Sequence, residues 1–503
     1  MAAPGVGNAV EAGLEASSGG VLARTLAGGL HPMIELAAFG ECVGLEPGAA
    51  GNSEAGHNNM CAGTIVPQRR VQISRTLANA DASAAPHLFA VMHRSATTGR
   101  PLHVIAYLGD RSSVGHHEHL HSLLKLAKRE GVGDVQVHGI CRGTGRRSCR
   151  ELADEARQVM KREGIGRFSS IAGRKFCINR EGVTDGTRAC MQGFEAERTG
   201  AERSLDTIFD QAGDGEGEAR LKPEPVKGGL SLTDADDVVL MLYRRDSAVG
   251  LTRVLRRRQG ETAPPSSGGP RVATFGLLDA QNRYDDDPRL ADAFVFPVTD
   301  GMLHRRLAAA GVRQLRIAEQ KKAAHVTYFC DGGDVPDGPS YARVHPESLS
   351  EEEGRAQPCL RAEASVAAAV EAMQRGSADF IMINLPSADL MGHTGDFEAA
   401  RKGVACLDRV LTDFVARAAA AGYPVLITAD HGNAEEMLVD GKVDRNHSAN
   451  PVPFIAIAAR GKPPYELRAS DTLPCLGDVA WTVLDILGLP TDRERSLLTH
   501  RLR

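Results

Sequence analysis

Three short segments in the carboxy-terminal third of the chain combine aspartate and histidine at spacings that suit a metal ion. "INLPSADLMGHTG" places Asp389 and His393 four residues apart, where a helical turn would bring both side chains to one face. "LITADHGNAEEM" contains the adjacent pair Asp430 and His431, which can share an ion only where the chain turns, because neighbours on an extended strand point to opposite faces. "DRNHSANPVPFI" adds His447. Each segment alone also suits a helix cap or a hydrogen-bonded histidine.

The combined ligand set predicts phosphoryl chemistry. Aspartate with histidine suits divalent ions such as Zn²⁺ or Mn²⁺, and two neighbouring ions recur in phosphoryl-transfer sites. Far upstream, "GAAGNSEAGHNNMCAG" places Ser53 between Gly51 and Gly56, which we expect to let the hydroxyl project from a tight turn. A serine hydroxyl on a divalent ion is acidified and can attack phosphorus, giving a phosphoserine that a second step must discharge. The alternative interpretation of this stretch is an ordinary surface turn.

The elements that would position these residues alternate between strand and helix. Short apolar runs predict buried strands of a parallel or mixed sheet, namely "HVIAYLG", "DVQVHGI", "VVLMLY", "DFIMINL", "YPVLITAD" and "VPFIAIAA". Helical patterns lie between them, including "EHLHSLLKLAKRE", "SVAAAVEAMQRG", "FEAARKGVACLDRVLTDFVARAAAAG" and "DVAWTVLDILG". The predicted class is therefore α/β. Ligands of open α/β sheets bind beyond the carboxyl ends of the strands, where Asp389, His393, Asp430 and His431 fall.

Two regions rich in charge, glycine and proline are predicted to be solvated loops. They are "DQAGDGEGEARLKPEPVKGG" and "RRRQGETAPPSSGGPR". The arginines at 256 to 258, at the start of the second region, favour a solvated helix end over an anion-binding patch.

Composition narrows the functional class. A chain of 503 residues is expected to form two domains. The 59 basic and 64 acidic side chains give a net charge of −5, which offers no reason to expect nucleic acid or an acidic membrane as partner. The ten cysteines include no CxxC pair, which favours a reducing compartment. No apolar run of about eighteen residues and no secretory signal pattern is present, so a cytoplasmic location is expected.

Longer motifs resemble one known family. "GNSEAGHNNMCAG", "ADLMGHTG", "TADHGNAEEM" and "HSANPVPFIA" are similar to the cofactor-independent phosphoglycerate mutases of the alkaline phosphatase superfamily, and "LRIAEQKKAAHVTYFCDGG" and "AGRKFCINREG" extend the likeness. The resemblance implies an alkaline-phosphatase-like α/β domain at 1–67 and 299–503. An inserted α/β domain at 68–298 would handle substrate. The implied enzyme is a cytoplasmic, monomeric isomerase that interconverts 3-phosphoglycerate and 2-phosphoglycerate through a phosphoserine.

The resemblance also implies residue roles. Ser53 would be the nucleophile and would bind one metal together with Asp430 and His431. The other metal would be held by Asp389, His393 and His447. The two ions implied are Mn²⁺, with Mg²⁺, Co²⁺ or Zn²⁺ as alternatives. Four cations match substrate-binding positions, where they could hold phosphate and carboxylate, and the alternative for each is a surface cation: Arg174, Arg180, Arg244 and Lys322.

Several family features are absent. The family's first strand ends in an Asp-Gly motif whose aspartate completes the serine-bearing metal site, whereas this sequence begins "MAAPGVGNAV", beyond that motif. The family's "SDGGVHSH" is replaced by "GDRSSVGHHEHL", which leaves Val114 where a substrate-contacting histidine is expected and His116 as a displaced candidate. The histidines that follow His116 favour a polar helix start over a metal cluster. The acidic residue of "DGRD" aligns with Gly145, and the second arginine of "FRADR" aligns with Ser247.

These losses concern substrate handling, so mutase activity is expected to be impaired. Two other classes of function remain open. One is a metal-dependent phosphohydrolase, because a phosphoserine without a well-held acceptor is discharged to water. The other is a non-catalytic relative that binds phosphorylated ligands or proteins.

Overall fold

The computed structural model describes residues 7–17, 19–109, 114–143, 147–178, 183–213, 215–243, 245–257, 269–275, 290–295, 301–334, 336 and 338–499. The chain divides into two compact units. The first unit is Met1–Val71 together with Val298–Arg503, and the second is Gln72–Pro297. Among the described helices, none combines the length and the apolar character needed to cross a bilayer.

Helices and strands alternate through both units. The helices are α1 (Ala9–Ala16), α2 (Val21–Leu26), α3 (Ser53–Ala62), α4 (Arg69–Asn79), α5 (Pro86–Thr98), α6 (His117–Arg129), α7 (Cys149–Glu163), α8 (Arg174–Cys177), α9 (Asp185–Glu195), α10 (Leu205–Ala212), α11 (Glu216–Ala219), α12 (Arg245–Leu255), α13 (Leu303–Ala309), α14 (Glu351–Ala356), α15 (Ala362–Arg375), α16 (Ser387–Thr394), α17 (Phe397–Ala420) and α18 (Asp478–Ile486). The strands are β1 (Met33–Leu36), β2 (Leu102–Leu108), β3 (Val135–Cys141), β4 (Arg167–Gly173), β5 (Glu224–Pro225), β6 (Asp237–Met241), β7 (Arg271–Thr274), β8 (Leu290–Asp292), β9 (Gln314–Ile317), β10 (Tyr341–Val344), β11 (Phe380–Ile383), β12 (Val425–Thr428), β13 (Leu438–Val439), β14 (Lys442–Val443) and β15 (Val452–Ile457). Short 3-10 turns cover Gly40–Val43 and Gln320–Lys322, and a π-helical turn covers His325–Phe329.

Four of the six predicted ligands in the first unit follow two strands, β11 and β12. Among the described residues, β11 pairs only with β9, in parallel, and β12 pairs only with β15, antiparallel. Alternate residues of each strand pack into two hydrophobic clusters. Phe380 and Leu426 contact one cluster, and Ile381 and Ile427 contact the other. Apolar contact on both faces explains why these strands have continuous apolar sequences.

The second unit contains a twisted sheet with helices on its faces. Within the described residues the strand order is β5-β4-β3-β2-β6-β7-β8, parallel except for the short β5. The chain reverses its direction of travel across the sheet between β2 and β6, which is where open α/β sheets form a crevice at their carboxyl ends. The predicted strands and helices of the sequence analysis are all present.

The two predicted loop regions need correction. Within 210–229, Glu218 is buried, and its carboxylate accepts hydrogen bonds from the Cys149 and Arg150 amides at 3.0 and 3.1 Å. Glu218 therefore caps the start of α7, whereas most of the described residues around it are exposed or half-buried, as predicted. Arg256 is fully buried and donates to the Pro270 carbonyl oxygen, so the predicted solvated helix end is wrong there. Most of the second region, 258–268, lies outside the described residues.

The cysteines pair more than their spacing suggested. Three disulfides join Cys61 to Cys330, Cys177 to Cys190 and Cys359 to Cys406. Paired cysteines are up to 269 residues apart in sequence, so the pairs could not be predicted from local sequence motifs.

A buried polar chain crosses the sheet of the second unit. The His103 Nδ1 atom on β2 lies 2.9 Å from the His138 Nε2 atom on β3, and His138 Nδ1 lies 2.7 Å from the Ser170 hydroxyl on β4. His103, His138 and Ser170 are all buried. Burial, with His103 and Arg198 nearby, lowers the pKa of His138 well below its usual value. The folded chain therefore prefers neutral His138.

This preference predicts acid destabilisation of the second unit. In the unfolded chain histidine gains a proton below a pKa of about 6.5, while buried His138 resists protonation, so its stabilising contribution is complete above that pH and is lost as the pH falls. When the pH falls from 7.5 to 5, the free energy of unfolding of the wild type should decrease by up to about 2 kcal/mol more than that of His138→Gln. The glutamine amide can still hydrogen-bond to both neighbours. Native-state hydrogen exchange of the β3 amides measures this difference. Equal losses in the two proteins would show that His138 does not resist protonation.

Candidate metal centre

Ser53 is the first residue of helix α3. The preceding Asn52 is extended, and its side-chain oxygen accepts a hydrogen bond from the Ala55 amide at 3.0 Å, which fixes the start of the helix. The tight turn expected around Ser53 is therefore a helix amino terminus. Free amide groups and the helix dipole at this end favour a negatively charged group beside the Ser53 hydroxyl.

The glycines around Ser53 permit close packing. A Cβ atom on Gly51 would lie 2.8 Å from the His431 Cβ atom, and one on Gly56 would lie 2.8 Å from the Asp430 Cβ atom and collide with the Asp430 carbonyl oxygen. Neither glycine has a positive φ angle. Gly56 permits close approach of α3 to the Asp430–His431 bend, and Gly51 permits that of the segment before α3, so neither serves an unusual backbone conformation.

Gly56→Ala is expected to push α3 away from Asp430. Atoms this close cannot relax without moving backbone, and overpacking of this kind costs about 1–3 kcal/mol. The variant should unfold at a lower temperature and bind divalent ions more weakly. Gly29→Ala is the matched control, because a Cβ there meets no atom within 4 Å and the φ angle is ordinary. Unchanged ion affinity in Gly56→Ala, measured by calorimetry, would show that this packing does not position the ligands.

The Ser53 hydroxyl lies among the side chains that follow β12. Its oxygen is 2.9 Å from His431 Nε2, and His431 Nε2 is 3.4 Å from an Asp430 carboxylate oxygen. Asp430 and His431 lie in a bend directly after the strand, as their adjacency requires. The fold brings these three residues together across more than 370 positions of sequence.

A second set of side chains adjoins the first. Asp389 and His393 are one turn apart on α16, with His393 Nε2 3.2 Å from Asp389 Oδ1. His447 Nε2 is 3.5 Å from the same oxygen and 3.0 Å from His393 Nε2. His431 joins the two sets, because its Nε2 is 3.9 Å from Asp389 Oδ1 and its ring stacks on that of His447. Ligand atoms of Asp389, His431 and His447 all lie within 4.8 Å of one another.

Backbone carbonyl groups fix the tautomers of two of these histidines. His393 Nδ1 donates to the Arg445 carbonyl oxygen at 2.7 Å, and His447 Nδ1 donates to the Gly51 carbonyl oxygen at 2.8 Å. A carbonyl oxygen can only accept, so a neutral ring keeps its proton on Nδ1 and leaves the Nε2 lone pair free. The two converging Nε2 atoms beside a carboxylate form a donor set suited to a divalent cation.

Charges in the centre shift several pKa values. Burial would raise the pKa of Asp389, but His393, His447 and Lys322 hold it well below its usual range. Asp430 is likewise held low, against burial, by His57 and His431. Burial lowers the pKa of His431. Both aspartates are therefore carboxylates at neutral pH.

Sequence reasoning missed His57. This buried residue lies one turn after Ser53 on α3, and its Nδ1 lies 3.0 Å from the Ser53 carbonyl oxygen and 3.1 Å from an Asp430 carboxylate oxygen. Its Nε2 is 3.2 Å from the Asn384 side-chain nitrogen, at the end of β11. The four-residue spacing from Ser53 was the available signal. His57 thus orients Asp430 and connects α3 to β11.

The predicted substrate-binding cations fall in different places. Lys322 is buried, and its Nζ lies 2.7 Å from Asp389 Oδ2, beside the candidate metal ligands. Arg174 is exposed at the start of α8, directly after β4. Burial raises the pKa of Tyr107, and the positive charges of Arg142 and Arg174 partly offset this increase. Arg180 and Arg244 lie outside the described residues.

One of the four family departures, the replacement of "SDGGVHSH", can be located in the second unit. Val114 packs against a hydrophobic cluster that includes Tyr107, and its carbonyl oxygen accepts from the Tyr243 amide at 2.9 Å. His116 is buried at the position before α6, 3.3 Å from a Glu118 carboxylate oxygen, which agrees with the predicted polar helix start. Gly145 lies outside the described residues, and so does the side chain of Ser247.

Comparison with known proteins identifies the family. Residues 25–491 match the Metalloenzyme superfamily. The 2,3-bisphosphoglycerate-independent phosphoglycerate mutase of Gloeobacter violaceus is 33% identical, over 93% of this chain and 88% of that protein. The protein of the same name from Moorella thermoacetica is also 33% identical, over 94% of this chain and 91% of its own length.

The chain belongs to this family. The family, the isomerase class and the mutase assignment predicted from the motifs are thereby confirmed. A crystal structure of Leishmania mexicana phosphoglycerate mutase, obtained at low cobalt concentration, superposes with a TM-score of 0.65 at 22% identity. The match covers 94% of this mutase and 91% of the Leishmania chain, which confirms the alkaline-phosphatase-like α/β fold. Membership of a metalloenzyme superfamily supports divalent-metal binding and leaves the identity of the metal a prediction.

Proposed function

We propose that this mutase interconverts 3-phosphoglycerate and 2-phosphoglycerate through a phosphoserine at Ser53, using two Mn²⁺ ions. The first unit would perform the phosphoryl transfer, and the second would hold the glycerate. The observation that carries the proposal is the convergence of the Ser53 hydroxyl, two carboxylates and three histidines at the ends of β11 and β12. A cytoplasmic monomer remains part of the proposal.

The side chains present fit two divalent ions. Asp389, His393 and His447 would hold one, and Ser53, Asp430 and His431 would hold the other. The fit rests on the donor set, in which two Nε2 atoms with free lone pairs face one carboxylate oxygen. When bound, the ions would acidify the serine hydroxyl and offset charge on the transferring phosphoryl group.

In the proposed reaction, each of these residues has a separate role. The Ser53 oxygen attacks phosphorus as its hydroxyl proton is lost to solvent, the bond from phosphorus to the glycerate 3-oxygen breaks, and that oxygen takes up a proton from solvent. The bound glycerate then reorients, so that its 2-hydroxyl attacks the same phosphorus. Ser53 is the leaving group and regains its hydroxyl proton. The α3 amino terminus and Lys322 would hold phosphate oxygens. Arg174 would hold the glycerate carboxylate from the second unit.

Retention of glycerate decides between mutase and phosphatase outcomes. Val114 presents an apolar side chain where the family places a histidine, so the glycerate loses a polar contact. Weaker holding admits water to the phosphoserine. We predict isomerisation slower than in a typical family member, with measurable phosphate release.

An assay with 3-phosphoglycerate and Mn²⁺, coupled separately to 2-phosphoglycerate formation and to phosphate release, tests this partition. Val114→His should shift the ratio toward isomerisation, and Val249→Ala, which alters the same hydrophobic cluster, is the control. Brisk isomerisation without phosphate release would show that retention is intact. Phosphate release alone would favour a phosphohydrolase, and neither product would favour a binding protein.

A further inference from the structure

Two partly exposed cysteines, Cys359 and Cys406, form a disulfide in the first unit. Cys359 lies in the turn before α15 and Cys406 lies on α17, with Cα atoms 5.5 Å apart. This separation is in the normal range for disulfides, roughly 4.4–6.8 Å. By contrast, the cysteines of the other two disulfides are at most 1% exposed. Reagents in solution can therefore reach Cys359 and Cys406 far more easily.

The surroundings of Cys406 favour thiol chemistry. Arg409 Nη2 donates to Cys406 Sγ at 3.3 Å and to a Glu363 carboxylate oxygen at 2.7 Å. Glu363 thus holds the guanidinium beside the sulfur. A cationic neighbour stabilises the thiolate, which is the form that attacks disulfides. Both the arginine and the glutamate side chains are about two-thirds exposed, at 64% and 65%.

A second close cysteine pair remains reduced. Cys42 and Cys475 are also partly exposed and hydrogen-bonded to each other, yet they are free thiols. Burial and the hydrogen bond from Cys42 raise the pKa of Cys475 to about 12. Proximity alone therefore does not distinguish Cys359 and Cys406.

The turn that carries Cys359 packs against α16. The Ser387 hydroxyl at the start of α16 donates to the Cys359 carbonyl oxygen at 3.0 Å. Gly403 on α17 lets the segments approach closely, since a Cβ there would lie 3.1 Å from the Pro358 carbonyl oxygen and 3.3 Å from that of Ser387. Leu360 adopts a left-handed φ of 52°, a conformation that persists only where neighbouring contacts enforce it. The disulfide is one such constraint.

We propose that Cys359 and Cys406 are a reversible dithiol–disulfide pair whose oxidation clamps the 358–360 turn onto α17 and stiffens α16. The oxidant is a small-molecule disulfide. The Cys406 thiolate attacks one sulfur of the oxidant, forming a mixed disulfide and releasing one thiolate. Cys359, after giving its proton to solvent, attacks Cys406 Sγ and expels the second thiolate. Two protein thiols are oxidised, and one small disulfide is reduced to two thiols.

Exchange with glutathione disulfide tests the chemistry on the full chain. After incubation over a range of reduced-to-oxidised glutathione ratios, acid quenching and alkylation, peptide mass spectrometry should find Cys359 and Cys406 cross-linked to each other and reducible. Cys359→Ser should accumulate glutathione on Cys406, and Arg409→Gln should slow the reaction about threefold. Cys475→Ser is the matched control and should leave the exchange unchanged.

Two outcomes would overturn the pair as a redox site. One is full alkylation of both thiols at every glutathione ratio, and the other is a cross-link that strong reductant in native buffer cannot open. Protection of the thiols by Zn²⁺ under reducing conditions, with no cross-link on oxidation, would instead assign Cys359, Glu363 and Cys406 to a metal site. All three outcomes are independent of mutase activity.

Hydrogen exchange tests the mechanical consequence. The α16 amides should exchange more slowly in the oxidised chain than in the reduced chain, while α18 amides, distant in sequence from both cysteines, serve as the internal control. Under oxidising conditions, the α16 amides of Cys359→Ser should exchange at the rate seen in the reduced wild type. Equal α16 exchange in the two wild-type states would show that the disulfide does not stiffen this helix.

Discussion

Ser53→Ala is expected to lower phosphoryl transfer at least about a thousandfold while the protein stays folded. The substitution removes the oxygen that attacks phosphorus and leaves a residue with high helix propensity at the start of α3. Asn52 still caps the helix through the Ala55 amide, so little stability is lost. Isomerisation and phosphate release should both be measured, with circular dichroism to confirm the fold.

Ser377→Ala is the matched control for this result. Ser377 is also in the first unit, and its hydroxyl donates only to the Ala372 carbonyl oxygen at 3.3 Å. The control should retain wild-type activity. Phosphate release that survives in Ser53→Ala would mean that water attacks the substrate directly and that Ser53 is not the nucleophile.

His447→Ala is expected to weaken divalent-ion binding at least tenfold, judged by the roughly 10–100-fold loss seen when mere supporting partners of ligands are removed. His447 supplies one of the two converging Nε2 atoms, and its Nδ1 hydrogen bond to Gly51 also ties the ligand to the segment before Ser53. Titration calorimetry with Mn²⁺ and metal analysis of the purified protein measure the loss.

His345→Ala controls for the general cost of losing a histidine. Its Nδ1 donates to the Ala318 carbonyl oxygen at 3.0 Å, which matches the hydrogen bond of His447 without a place among the ligands. Ion binding in this control should equal that of wild type. Equal ion content in His447→Ala and wild type would remove His447 from the metal site.

The residues that converge in the candidate metal centre could be picked out from the sequence, because the ligand-type side chains are close together within each segment. Asp389 and His393 share a helix face, and Asp430 and His431 share a bend, so side-chain types and strand ends sufficed. The role of Gly56 could not be read in this way, since it depends on Asp430, 374 residues later. His57 was missed for a similar reason, because its partners Asp430 and Asn384 become neighbours only in the folded chain.

Buried polar contacts were the least predictable features of the fold. Glu218 and Arg256 lie in segments whose composition is typical of solvated loops, yet each is buried with specific backbone partners. Composition reports average exposure, whereas a single well-placed backbone group can stabilise a buried charge. The disulfides could not be predicted from the sequence either, because cysteine pairing depends on which segments pack together in the fold.

The central claim is that the phosphoryl group passes through Ser53. The full chain should be mixed with phosphoglycerate and Mn²⁺, quenched in acid during turnover, digested, and its peptides analysed by mass spectrometry. We predict a phosphorylated peptide modified at Ser53, absent without Mn²⁺ and absent in Ser53→Ala. Turnover with no phosphate on Ser53, or with phosphate on a different residue, would contradict the account.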